Sequence, residues 1–158
     1  MRATSLNHVS IHADDLERSV RFYEEVFAME RIPTYNFGFP VQYFRLGDVQ
    51  LHIFQREAPA PPYHHIGINV DDFELAYERA RELGILESES FFEDIYELPD
   101  GSVQMYIRDP AGNLVEIDWP DVTTLDRSRL PELKRLGDSV PQTGEALRAT
   151  LYLDRVQG

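Results

Sequence analysis

The chain has 158 residues, room for one ordinary domain or two very small ones, and 42% apolar against 27% charged residues mark a folded chain rather than a disordered one. It contains no cysteine, which excludes disulfides and thiolate metal sites, so any metal must be held by imidazole and carboxylate. A net charge of -13 repels phosphate backbones and anionic lipid, so neither nucleic acid nor a membrane is an expected partner. The N-terminal stretch has no apolar leader, and the expected location is the cytoplasm.

The first element is read at residues 7–17, NHVSIHADDLE. Val9 and Ile11 alternate with His8, Ser10 and His12, a period of two that predicts a strand. The period then lengthens: Leu16, Val20, Tyr23 and Phe27 fall on one helical face, with Asp14 and Glu17 spaced as a capping box at its start. Strand-like stretches follow at 30–36, 41–46 and 49–55, punctuated by Gly38-Phe39-Pro40 and Gly47-Asp48. Ala58 to Pro62 is a proline-rich link that joins no ladder easily.

The same order then begins again. Residues 64–74, HHIGINVDDFE, align with 7–17 at a constant offset of 57, bringing His65 onto His8, Ile68 onto Ile11, Asp71 and Asp72 onto Asp14 and Asp15, and Glu74 onto Glu17. Ile66, Ile68 and Val70 predict a strand, and Phe73, Ala76, Tyr77, Ala80 and Leu83 a helix that stops at Gly84. Asp71 and Glu74 repeat the capping box. Further strands are expected near 90–97, 103–108 and 113–119.

The fold class is therefore α+β. Two βαβββ modules, about 5–57 and 63–119, are expected to form one domain over 1–119, sharing a curved, barrel-like mixed sheet around a metal cleft with the helices outside. Residues 120–158 break the repeat. They are expected to form a C-terminal helical arm, with short helices from Ser128 to Leu136 and from Thr143 to Val156.

Strand parity selects the side chains that face the cleft, because the apolar alternates must face the helices. His8, Ser10 and His12 share one face of the first strand. Gln50, His52 and Phe54 share one face of the 49–55 strand, Gln104, Tyr106 and Arg108 of the 103–108 strand, and Leu114, Glu116 and Asp118 of the last. His65 points inward by the same argument, and His64 falls to the helix side or the strand start as a structural residue. Four potential ligands, His8, His52, His65 and Glu116, are thus expected to converge. Two imidazoles and one carboxylate suit Fe(II) with open positions for substrate and molecular oxygen, and equally suit Mn, Zn, Ni or Co. His52 is a fourth ligand or a residue behind the ligands, and His12 a proton-transfer residue at the rim.

The paired starts NHVSIHADD and HHIGINVDD, with the block MYIRDPAGNLVEID at 105–118, resemble the vicinal-oxygen-chelate superfamily of glyoxalases, bleomycin-resistance proteins and extradiol dioxygenases. The resemblance spans about residues 5–119 and implies metal ligands at His8, His65 and Glu116. The block from Met105 to Glu116 is similar to the latter part of the extradiol dioxygenase signature, which implies that Tyr106 stabilises negative charge on a bound substrate. The histidine that precedes this block in the signature has no counterpart in Tyr96-Glu97-Leu98-Pro99. The resemblance implies a small oxygenated substrate that chelates the metal, ring cleavage in the leading reading, and a homodimer. A glyoxalase I-like lyase or epimerase is the alternative, and a metal-free drug-binding protein of the bleomycin-resistance type is a third reading of another class.

Overall fold

A computed structural model describes residues 2–91 and 95–155. Among the described residues the architecture is α+β, with two mixed sheets and two α-helices of more than one turn. β1 (His8–Ala13) leads into α1 (Leu16–Phe27), followed by β2 (Glu30–Ile32), β3 (Val41–Leu46) and β4 (Val49–Gln55). The second series is β5 (His65–Asn69), α2 (Phe73–Leu83), β6 (Leu86–Glu87), β7 (Ile95–Glu97), β8 (Val103–Arg108) and β9 (Leu114–Trp119). The βαβββ order is thus present in both halves, with β6 added before the second meander.

Backbone packing divides the chain into two compact units. One comprises residues up to 66 together with 108–114, and the other comprises 67–107 together with the residues from 115 onward. These bounds differ from the expected modules of 5–57 and 63–119 in two places, since residues 63–66, with the start of β5, and the turn between β8 and β9 both fall in the first unit. The strands form a four-stranded sheet, β1-β4-β3-β2, and a six-stranded sheet ordered β10-β7-β8-β9-β5, with β6 beside β8. Among the described residues no closed, shared barrel is hydrogen-bonded.

In the first unit β1 lies parallel to β4, and β4–β3 and β3–β2 are antiparallel. Helix α1 covers β3 and β4. Val20 and Tyr23 of α1 and Phe44, Leu51 and Ile53 beneath them are fully buried, each such side chain stabilising by roughly 1.5–3 kcal/mol. This leaves His8, Ser10, His12 and Gln50 on the exposed face, as parity requires. In the second unit Phe73, Tyr77 and Ala80 are the buried stripe of α2, set against β6, while Ile95, Met105, Ile107 and Ile117 fill the interior.

Both helix starts differ from expectation by one residue. The caps are Asp15 and Asp72, whose carboxylates accept from the N–H groups of Arg18 and Leu75, rather than Asp14 and Asp71. The strand expected over 30–36 ends at Ile32, because Pro33 has no N–H to give a ladder. Thr34 Oγ1 instead accepts from the Tyr43 N–H at 3.0 Å. Of the strand expected at 90–97, Ile95–Glu97 is formed and residues 92–94 lie outside the described residues.

The arm departs most. Neither expected helix forms; 3₁₀ turns at Val122–Thr124, Arg127–Arg129, Gly144–Arg148 and Leu153–Arg155 alternate with β10 (Leu133–Arg135) and the single-turn α3 (Leu136–Ser139). Residue 156, the last of the expected second helix, lies outside the described residues. Pro131 interrupts the first expected helix, and Gly144 stands at the start of the second, whose residues up to 155 form only 3₁₀ turns. No helix of the described residues is long and apolar enough to cross a membrane.

Candidate functional site

The first unit supplies imidazoles. Register places Ser10 opposite His52 and His8 opposite Gln50, so the side chains of His8 and His52 rise from neighbouring strands on one face. Their rings stack with centroids 4.4 Å apart and planes inclined by 11°. His52 is sandwiched on its other side by Tyr43 of β3, at 3.5 Å and 10°. Its Nε2–H donates to Gln50 Oε1 at 2.9 Å, which leaves Nδ1 as the lone-pair nitrogen. Burial, and then the nearby His8, lower the His52 pKa from its ordinary value, so this ring is a neutral imidazole at neutral pH. His8 Nδ1 is paired with Asn7 Oδ1.

His65, at the start of β5, donates from Nδ1 to the Tyr63 carbonyl at 2.9 Å. That bond selects the tautomer with the lone pair on Nε2, the orientation in which a backbone carbonyl readies a histidine for a metal. His12, His64 and His65 line one open cavity of about 630 Å³, together with Ser10 and Tyr63. His64, expected to be structural, is an exposed member of this cavity wall.

One wall of that cavity is held by the Asp109–Asn113 turn. Asp109, buried, accepts from the N–H groups of Ala111 and Asn113, from Asn113 Nδ2, and from the Tyr23 hydroxyl at 3.0 Å. Asn113 Nδ2 also donates to the His12 carbonyl at 2.7 Å, and Gly112 takes the left-handed φ of 83° that the reversal requires. Burial is the dominant influence on Asp109 and raises its pKa despite these donors.

The second unit supplies carboxylates. Glu116 and Asp118 alternate on β9 with Val115 and Ile117, and both are buried. The Tyr106 hydroxyl of β8 donates to Glu116 and accepts from Gln104 Nε2 at 2.7 Å. Phe91 stacks on the Tyr106 ring at 4.4 Å. Burial, then the hydrogen bond to Glu116 and its charge, push the Tyr106 hydroxyl far above the usual tyrosine range, so it remains a donor. Burial, then the charge of Glu116 and a hydrogen bond with it, raise Asp118 to about 8. Asp118 Oδ1 is buried without a hydrogen-bond partner. Gly67 of β5 leaves space here, since a Cβ at that position would stand 3.1 Å from Asp118 Oδ2 and 4.0 Å from Glu116 Oε1.

Of the residues expected from the sequence, His8 and His52 are together, as are Tyr106 and Glu116. Among the described residues no group of three or more His, Asp or Glu side chains is placed to hold a metal ion as it stands. The donor chemistry nonetheless fits a divalent cation. Two crowded buried carboxyl groups, the orphaned Asp118 Oδ1 and the space over Gly67 gather oxygen donors of the kind a divalent cation takes. Sequence reasoning set Gln104 on the cleft face without giving it a role, and omitted Gly67 from the candidates. Gly67 stands at the repeat position of Ser10, and that correspondence marks it as belonging to the site face.

The βαβββ order in both halves, with imidazoles on β1, β4 and β5 and buried carboxyl groups on β9, is that of a vicinal-oxygen-chelate protein. Residues 5–117 match the family model of the Glyoxalase/Bleomycin resistance protein/Dioxygenase superfamily, and the chain belongs to that family. It is 29% identical over 124 residues to the uncharacterized protein YwbC of Bacillus subtilis, covering 72% of this chain and 96% of that one. Among solved structures it is similar to lactoylglutathione lyase from Agrobacterium tumefaciens, with 27% identity, a TM-score of 0.56, and 75% and 95% of the two chains covered. It is also similar to the oxidase ChaP-H2, at 25% identity, a TM-score of 0.56, and 74% and 94% coverage. Members of the superfamily are mostly enzymes acting on small molecules, typically with a divalent metal.

Proposed function

We propose that this chain is a cytoplasmic, metal-dependent enzyme in which His8, His65 and Glu116 hold one divalent ion, Fe(II) in preference to Mn, Zn, Ni or Co. His52 is a fourth donor or a support behind His8. The substrate is a small molecule that reaches the ion through neighbouring oxygens, and the reaction is an oxygen-dependent ring cleavage of the extradiol type. The observation that carries this reading is the buried Tyr106–Glu116–Asp118 cluster with its unpaired carboxyl oxygen. The likeness to an oxidase supports it.

The ion, when bound, supplies Lewis acidity toward the substrate oxygens. The remaining chemistry belongs to the protein. Tyr106, kept protonated by its surroundings, gives its one O–H to Glu116 in this structure and would turn it toward negative charge developing on the substrate, with Gln104 holding the hydroxyl oxygen. His12, exposed at the cavity wall, passes a proton between substrate and solvent. A homodimer is the assembly proposed, in keeping with the superfamily to which the chain belongs.

A glyoxalase-type lyase is the second reading, favoured by the likeness to lactoylglutathione lyase and by a carboxyl pair able to move a proton next to a carbonyl. The two are separated by metal analysis of the purified protein with oxygen uptake on catechol. Iron with catechol-dependent uptake is expected; nickel or zinc without uptake removes ring cleavage and leaves the lyase. Glu116→Gln and His65→Ala are each expected to lower metal affinity by about 100-fold or more. Full metal occupancy in both variants would remove the proposed ligand set.

A further inference from the structure

Between β2 and β3 the segment 33–40 leaves the ladder and carries Tyr35, Phe37 and Phe39. These rings form a closed circuit with three residues of the strands. Tyr43 stacks on His52, Tyr35 meets Tyr43 edge to face at 6.4 Å, and Tyr35 meets Phe37 at 6.1 Å. Phe37 stacks on Phe39 at 5.8 Å, Phe39 meets Phe54 at 5.9 Å, and Phe54 returns to His52 at 6.2 Å. The circuit is continuous with His8 through the His8–His52 stack.

Its inner and outer members live in different surroundings. Tyr43 and His52 are 6% and 7% exposed, whereas Tyr35 is 76% and Phe37 48% exposed. Large rings left in water beside a proposed centre offer apolar area that an arriving ligand can cover. Faces and edges are both presented, since the planes of Tyr35 and Tyr43 are inclined by 84° and those of Phe37 and Phe39 by 17°. A flat aromatic guest exploits both arrangements. The Arg56 guanidinium lies 3.9 Å over Phe39, and Arg45 extends from the same face as Tyr43 with only a 3.7 Å contact to Glu30. Two guanidinium groups beside the circuit, in a chain of net charge -13, favour ionised oxygens and oppose an ammonium ligand.

We propose that this circuit is the binding face for a planar substrate of two or more fused aromatic rings bearing adjacent oxygens, with Tyr35 and Phe37 determining ring number. The proposal rests on the reading of His8 and His65 as metal ligands, for which it names the substrate class. A single ring held at His8, beside the sandwiched His52, leaves Tyr35 and Phe37 uncovered, whereas a second fused ring extends toward them.

The experiment measures anaerobic binding to the full-length protein of two probes, catechol and dihydroxynaphthalene with adjacent hydroxyls, by titration calorimetry. The two-ring probe is expected to bind about tenfold more tightly. In the Tyr35→Ser, Phe37→Ser double variant that preference is lost, while catechol affinity, metal content, circular dichroism and solution mass stay as in the parent. Equal affinities for the two probes, or a preference that survives the double variant, overturns the proposal. A change of solution mass in the double variant also overturns it, by assigning the face to a second copy. The same titrations on chelator-treated protein keep the two readings apart. Stacking on Tyr35 and Phe37 needs no ion, so a protein that takes up no metal sinks the enzymatic reading while the ring preference still decides this one.

Discussion

His52 in the first unit and Asp118 in the second are polar groups on the last strand of their βαβββ half, and they are 7% and 8% exposed. Burial moves the two in opposite directions on the pH scale, lowering the imidazole and raising the carboxyl, yet the outcome is the same: each is held neutral. The surroundings that permit this differ. His52 is enclosed by ring faces and needs one hydrogen bond, to Gln50, whereas Asp118 is left beside Glu116 with one oxygen unsatisfied. One repeated scaffold thus carries an aromatic face that stacks and a carboxyl face that retains a proton, and the chemistry is expected to reside mainly in the second.

A pair of tyrosines breaks or sharpens that contrast. Tyr106 and Tyr43 both lie beside proposed ligands, but Tyr106 gives its hydroxyl to Glu116 and Tyr43 offers its ring to His52. Tyr106→Phe is expected to lower kcat by about 10²–10³-fold, the usual effect of losing one donor to developing charge. Tyr43→Phe keeps the stack and is expected to stay within about threefold of the parent, since the ring contact is retained. Equal losses in steady-state turnover would show that the faces do not divide the work in this way.

The next largest effect concerns the turn that the second half of the sequence contributes to the first unit. Asp109→Ala leaves the Tyr23 hydroxyl, two backbone N–H groups and Asn113 Nδ2 without their acceptor, and is expected to destabilise by about 2–3 kcal/mol in urea unfolding. The pH dependence has a definite sign. Burial raises the folded-state pKa of Asp109 above its unfolded value of 3.8, so its contribution is complete below that value and is lost as pH rises through the folded pKa. The stability of the parent relative to Asp109→Asn should therefore fall as pH increases from 4; a rise would mean that the four donors outweigh burial.

Much of this arrangement was legible in the chain. The offset of 57 located both strand-helix starts, and period-two parity grouped His8, Ser10 and His12 on the face away from the helix, expected as a cleft wall and exposed in the structure. It failed where a single local interaction outranks periodicity. Asp14 and Asp15 are chemically alike, and only the backbone turn decides which carboxylate meets the N–H of Arg18. The 33–40 segment has strand-like aromatics, but Pro33 removes the donor a ladder needs, and those rings became the exposed circuit. The state of Asp118 was illegible because it depends on a burial shared with Glu116, which no spacing rule reports. The arm departs because Pro131 breaks its first helical run, and because its short later runs form no buried helical face to stabilise them.

The smallest expected effect compares the two helix ends, where the duplicated halves solve one problem with different residues. α1 closes with Ala28 at φ 50° and α2 with Gly84 at φ 64°, both left-handed. A side chain there costs about 1–2 kcal/mol relative to glycine, partly offset because glycine gives up more freedom on folding, by roughly 0.5–1 kcal/mol. Ala28→Gly is therefore expected to stabilise by about 0.5–1 kcal/mol. Gly84→Ala should destabilise by a similar amount, and since nothing lies within 4 Å of a Cβ built there, the loss would be backbone strain alone. If Ala28→Gly were instead destabilising in thermal unfolding, the Ala28 methyl would have to be making a contact worth more than the strain it carries, and the two helix ends would no longer be equivalent.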